Sequence, residues 1–235
     1  MEPKVLTPAA RAGAAALFGT IARLTGNRSL HPAGVAFTAK FAVGAPRLHQ
    51  ARLFARTGER PAVVRFSRGF GLPQPLPEIL SMAIKVPDAY GPGGDQDLLL
   101  TAAGDRPLLR QTFFWGRSHL DRHYSSVLPL KVGARQLLFG AVPVVTARME
   151  GDGDLDELVR TVAAGGVALD LRVAPTRGAW VTVARIELGD RLGAAAERAL
   201  TFSSDNAGGG IEPTGLINHV RGAAYAASHR ARPTS

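Results

Sequence analysis

The chain has 235 residues, 46% of them hydrophobic, with a formal net charge of +9 and no cysteine. Such a length makes one large domain or two small ones with a substantial core. Without thiols there is no disulfide framework, no thiolate metal ligand and no cysteine nucleophile.

In chain order, Thr7–Leu24 has helical periodicity, with Leu17, Ile21 and Leu24 on one face and Gly26 as a stop. Val35–Val43 alternates Val35, Phe37, Ala39, Phe41 and Val43 against Thr38 and Lys40, the clearest strand signal in the chain. Gln50–Ala55 and Ala62–Ser67 read as strands on either side of a turn at Thr57-Gly58-Glu59-Arg60. Gly69–Pro77, with its prolines and glycines, is a loop. Leu80–Val86 and Leu98–Thr101 read as strands around a Gly/Pro/Asp loop at Pro87–Gln96. Arg106–Tyr124 and Leu130–Ala141 read as helical or mixed. Leu155–Ala164 is a short helix, and Val167–Val173 with Trp180–Leu188 forms a hairpin pair. A short helix follows at Gly193–Leu200, then a loop at Ser203–Gly210. Thr214 caps a closing helix over Gly215–Arg230. Early strands, a helical middle and a late hairpin give an α+β class. Periodicity does not choose between a closed barrel and an open sheet.

Of the 28 basic residues only Lys4, Lys40, Lys85 and Lys131 are lysines, which leaves 24 arginines, scattered without a long run of like charge. Specific nucleic-acid binding is therefore not expected, while peripheral contact with an anionic membrane is compatible with the charge. Neither Pro8–Leu24, interrupted by Arg11 and Arg23, nor the nine-residue apolar run Leu137–Val145 is fit to span a bilayer. No secretory signal is evident, and a cytoplasmic location is the expectation.

Arg221-Gly-Ala-Ala-Tyr225 places a guanidinium and a phenol one helical turn apart on one face. A free phenol ionises only near pH ~10. A neighbouring guanidinium stabilises the phenolate and makes it a ligand for ferric iron at neutral pH. An imidazole can act as an acid–base group in both directions near neutrality, and the chain has six histidines. His119 and His123 have the i, i+4 spacing of a metal pair on a helix, without the intervening glutamate or a third ligand, so no metal is assigned to them. His49 and His219 read as surface or packing residues. Phe113, Phe114 and Trp115 read as ordinary core, with pocket lining or oxidisable donors as the alternative.

Several blocks, in order, resemble the haem-catalase superfamily. Asn27-Arg28-Ser29-Leu30-His31-Pro32-Ala33-Gly34 is similar to its R-x-x-H-A-x-G segment, and Val64-Arg65-Phe66-Ser67 to its V-R-F-S strand. Ser81–Val86 is similar to G-F-A-V-K-F, Asp97-Leu98-Leu99 to D-L-V, and Gly210-Ile211-Glu212-Pro213 to the G-I-E-P turn. The closing R-x-x-x-Y-x-x-[ST]-H-R-x-R is matched at every fixed position by Arg221, Tyr225, Ser228, His229, Arg230 and Arg232. The resemblance implies one catalase-like domain over 1–235, an antiparallel β-barrel with flanking helices. An N-terminal helix lies within 1–26 and a helix carrying the axial ligand within 213–232.

It further implies ferric haem b held by the Tyr225 oxygen, with Arg221 keeping that oxygen ionised. Arg28, Arg65 and Arg232 match propionate-binding arginines, and His229 lies near a propionate. His31 is the catalytic imidazole, and Ser67 fixes its tautomer. The implied activity is peroxidase chemistry on organic or lipid hydroperoxides with an unknown electron donor. Self-association is compatible with this reading. Two other readings share the residues: haem-dependent rearrangement of a lipid hydroperoxide, as in allene oxide synthase, and a haem-free basic barrel that binds a lipid or nucleic acid. The chain departs from the family pattern as well. Full catalases carry a distal asparagine in G-N-x-x-P after D-L-V, whereas Leu100–Pro107 holds none, and Thr101 or Asp105 is left to occupy that space. Losing that amide implies weak or no dismutation of hydrogen peroxide. Ala33, Ala223 and Ala224 are small and imply an open pocket. The long threading arm and C-terminal extension of full catalases are not expected here.

Overall fold

The structure is a computed structural model that describes residues 33–73, 76–146 and 153–214. The N-terminal helix, Arg28, His31, the closing helix, Arg221, Tyr225, His229 and Arg232 lie outside the described residues, as does His219.

Four long strands open the described chain: β1 (Ala33–Val43), β2 (Gly58–Arg68), β3 (Glu78–Val86) and β4 (Gln96–Ala103). Short strands follow at β5 (Trp115–Gly116), β6 (His123–Ser125) and β7 (Leu130–Val132). Then come β8 (Arg135–Val145), helix α1 (Leu155–Ala163), β9 (Val167–Ala174), β10 (Val181–Arg191), helix α2 (Ala194–Ala199) and β11 (Ile211–Pro213). The antiparallel order β8-β6-β4-β3-β2-β1-β10-β9 returns to β8 through the β8–β9 pairing, so eight strands close a barrel. Closure leaves the barrel no free edge.

Its interior is a single apolar core, filled by Val35, Phe37, Phe41, Val64, Phe66, Met82, Ile84, Leu98, Leu100, Phe139 and Leu171 among others. One end is plugged by a 3-10 turn, Arg52–Phe54, whose Phe54 ring lies 5.8 Å from Phe41 and 6.1 Å from Phe139. That turn replaces the strand expected over Gln50–Ala55. Its apolar residues reach the core by capping the barrel rather than by pairing. The turn expected at Thr57–Arg60 is instead the start of β2, where Gly58 pairs with Val43 and Arg60 with Phe41.

The helical or mixed reading of Arg106–Tyr124 and Leu130–Ala141 is also corrected. The first segment is irregular chain with a 3-10 turn at Leu109–Gln111 and the short β5 and β6, and the second is β7 and most of β8. Leu137, Leu138, Phe139, Gly140 and Ala141 are all buried, so both faces of this strand are covered and no alternation shows. α1 forms as expected. Asp154 caps it by accepting from Glu157 N at 2.6 Å, and the Glu157 carboxylate accepts from Gly153 N, one residue before the cap. α1 packs on β10 through buried Leu158 and Val162. After the loop at 200–210, β11 pairs with β7, and Thr214 Oγ1 donates to Pro129 O at 2.7 Å.

Candidate functional site on the outward face of strands 1 to 4

Strand pairing decides which side chains share a face. The register from β1 to β4 aligns Gly34, Ser67, Ser81 and Thr101 in one row and Ala36, Arg65, Ala83 and Leu99 in the next. One residue over, the row Val35, Phe66, Met82 and Leu100 points into the barrel. The outward face is therefore floored by small side chains in these two rows, with Arg65 as their one cation.

Ser67, Ser81 and Thr101 are 5%, 9% and 6% exposed, and none makes a side-chain hydrogen bond among the described residues. The register gathers these three small hydroxyl side chains into one row on this face. The next hydroxyl in the row, Ser125 across from Thr101, is already used, since its Oγ accepts from Val127 N at 3.1 Å.

Gly34 is required by space. A Cβ there would lie 2.7 Å from Arg65 Nη2 and 2.6 Å from Phe66 O. The missing side chain lets the Arg65 guanidinium lie across β1. Arg65 is partly buried, and its Nε stands 3.4 Å from Glu197 Oε1 of α2. Ser67 faces Gly34, three positions after His31. Thr101 holds its place on this face by register. Asp105 does not: its carboxylate faces His123 Nδ1 at 3.3 Å at the surface, and its carbonyl accepts from Arg110 and Trp180. Of the two candidates for the missing asparagine's space, the outward face contains Thr101.

Charged locks hold both ends of these strands. At one end Arg68 and Glu78 form a buried pair at 3.1 Å. Arg68 also donates to Leu76 O at 2.8 Å, and Glu78 accepts from Phe70 N and Leu72 N at 2.8 and 2.9 Å. This network ties the 69–77 loop to the barrel. At the other end Lys85 meets Asp97 at 2.8 Å and Asp95 at 3.2 Å, and Asp97 accepts from Ser203 N and Asn206 Nδ2, both at 2.9 Å. Burial raises the Asp97 carboxyl above its ordinary value against the opposing pull of Lys85. Neither lock was evident from sequence. The proximity of Arg68 and Glu78 to either side of one loop was the only signal.

No helix carries His119 and His123, so they do not share the helix face that an i, i+4 spacing implies, and His123 lies on β6. His119 is buried, with its Nδ1 2.9 Å from the Tyr124 hydroxyl and its ring edge-on to Phe66 at 5.4 Å. Burial, then the charge of Arg68, lowers it to about 3, so it is neutral at physiological pH. Burial raises the Tyr124 phenol well above its ordinary value. Phe114 and Trp115 are exposed, which corrects their reading as core. His49 is exposed, as expected of a surface residue. Among the described residues no group of three or more His, Asp or Glu side chains is arranged to hold a metal ion. No helix among them is long and apolar enough to cross a membrane.

No family model and no curated protein matches the sequence. Solved structures do match the fold. The chain superposes on a bacterial catalase with a TM-score of 0.66 over 99% of its length, at 12% sequence identity. The fold is catalase-like. The chain spans 62% of that catalase, and at this identity the likeness speaks for architecture alone. The barrel half of the expected architecture is thereby shown.

Proposed function

We propose that the protein is a haem-dependent peroxidase that reduces or decomposes organic and lipid hydroperoxides, with weak or no dismutation of hydrogen peroxide. The observation that carries this reading is the outward face of β1–β4 on a catalase-like barrel. Its small floor, Gly34, Ala36 and Ala83, suits a flat apolar macrocycle. Its row of hydroxyls, Ser67, Ser81 and Thr101, is polar, and Arg65, lodged over a glycine that no side chain could replace, suits a carboxylate arm. The described residues therefore fit one wall of a haem site.

In this reading Tyr225 would hold the haem iron through its oxygen, with Arg221 keeping it ionised, and Arg28, Arg65, Arg232 and His229 would meet the propionates. Bound ferric haem supplies the redox chemistry, in which a hydroperoxide takes two electrons and two protons to give an alcohol and water. In this reading an imidazole nitrogen of His31 takes the hydroperoxide proton and returns it to the leaving oxygen. The Ser67 hydroxyl bonds the other ring nitrogen and sets its tautomer. The Thr101 hydroxyl is shorter than an asparagine amide, so it grips a small peroxide less and leaves room for a larger one.

Titrating the apo-protein with haemin tests the reading. A Soret band is expected, and Tyr225→Phe is expected to lose or shift it. A wild-type chain that acquires no Soret band sinks the proposal. Turnover of cumene hydroperoxide with and without an electron donor then separates peroxidase from rearrangement, since only the peroxidase needs the donor.

A further inference from the structure

The segment between β4 and β6 carries an apolar surface that the barrel leaves uncovered. Leu108 is 60% exposed, Leu109 43%, Phe114 38% and Trp115 54%. Gly104 N donates to Leu109 O and Phe114 N donates to Ala102 O, so the two ends of this stretch sit side by side along the end of β4. Trp115 stacks on Phe70 with centroids 6.1 Å apart. The surface is held rigidly from beneath. Arg110, buried within the segment, donates to Gly178 O at 2.8 Å, Pro175 O at 3.3 Å and Asp105 O at 3.1 Å, and lies 4.5 Å over the Trp180 ring. Leu108 has φ 74 and ψ −43, near the rare and strained γ-turn geometry. A bulky side chain fixed there and exposed to water invites a functional explanation. A lone exposed leucine needs none, but four large apolar side chains in one short stretch do.

The surrounding charges indicate what covers it. Arg106 and Arg117 flank the four residues and are exposed. Of the nearby acids, Asp121 stands 3.1 Å from Arg122 and Asp105 faces His123 at 3.3 Å. The whole chain carries +9. Leucine and aromatic side chains flanked by arginine are the chemistry that settles at the headgroup level of an anionic bilayer. We infer that residues 106–117 dock the protein on an anionic lipid bilayer. Leu108, Leu109, Phe114 and Trp115 enter the acyl boundary, while Arg106 and Arg117 meet lipid phosphates. The inference does not depend on haem.

The test is co-sedimentation of the full chain with vesicles of equimolar phosphatidylglycerol and phosphatidylcholine, and with phosphatidylcholine alone. Binding to the anionic vesicles is expected, weakened by high salt, with Trp115 fluorescence quenched by brominated lipid. The double variant Leu108→Ser/Trp115→Ser, checked for an unchanged circular dichroism spectrum, is expected to bind about tenfold less tightly. No binding to anionic vesicles, or equal binding by the double variant, overturns the inference. So does a wild-type dimer that the double variant makes monomeric while neither form binds vesicles, because the face then belongs to a second copy.

Discussion

The two faces of the same four strands differ by one residue of register and by everything that follows from it. Inward, Val35, Phe66, Met82 and Leu100 satisfy one another by packing, and Phe66 also meets Phe37 edge-on at 6.2 Å. Outward, Gly34, Ser67, Ser81 and Thr101 present small groups and hydroxyls that the described residues leave without partners. The inner row is complete in itself and serves stability. The outer row offers small and polar groups in place of an apolar cluster, which is how a binding surface differs from a core.

Substitution on each side separates the two roles. Phe66→Ala is expected to cost about 3–5 kcal/mol, read from urea unfolding, because it opens a cavity at the centre of the core. Its neighbour Ser67→Ala, facing the other way, is expected to leave the urea midpoint almost unchanged and to act on haem binding or turnover. Equal losses of stability from the two would erase the distinction. Arg68→Met leaves Glu78 buried without its cation and is expected to cost a similar 3–5 kcal/mol. Adding Glu78→Leu recovers only part of this, since Phe70 N and Leu72 N then lose their acceptor.

Next comes pH. The His119 imidazole is lowered from 6.5 to about 3 in the folded chain. Its contribution to stability is therefore full above pH ~6.5 and is lost as pH falls through ~3, at up to about 1.4 kcal/mol per pH unit. His119→Phe is expected to flatten the urea midpoint over that window while the Tyr124 hydroxyl keeps its bond to the residue 119 carbonyl. A slope unchanged by the substitution would place the acid sensitivity elsewhere. The smallest effect on stability is expected from Thr101→Val, within about 1 kcal/mol, because the hydroxyl has no partner to lose. Its companion Thr101→Asn is expected to raise hydrogen-peroxide dismutation relative to cumene hydroperoxide turnover, and an unchanged ratio would remove Thr101 from the specificity account.

How legible these features were follows from the same physics. β1 was readable because its inner face is apolar and its outer face is not, which gives a clean alternation. β8 was not, because it is covered on both sides and its apolar run looks like a buried helix. β6 and β7 are three residues each, set by their ladder partners and not by any local pattern. The start of β2 was hidden by Thr57-Gly58-Glu59-Arg60, residues that favour turns but here extend an exposed strand end. Ser67 and Arg65 were found through resemblance to a known strand motif. Ser81 and the placement of Thr101 required the register, because a hydroxyl on a strand carries no mark of which row it joins.

The most direct test is to fill the outward floor and leave the core alone. Ala83→Trp places a large ring midway along the second row, between Arg65 and Leu99. In a haemin titration followed at the Soret band, the expected result is an unchanged circular dichroism spectrum with haem binding abolished or severely weakened. A variant that takes up haemin as tightly as the wild type, with the same spectrum, would show that this face is not the wall of the haem site.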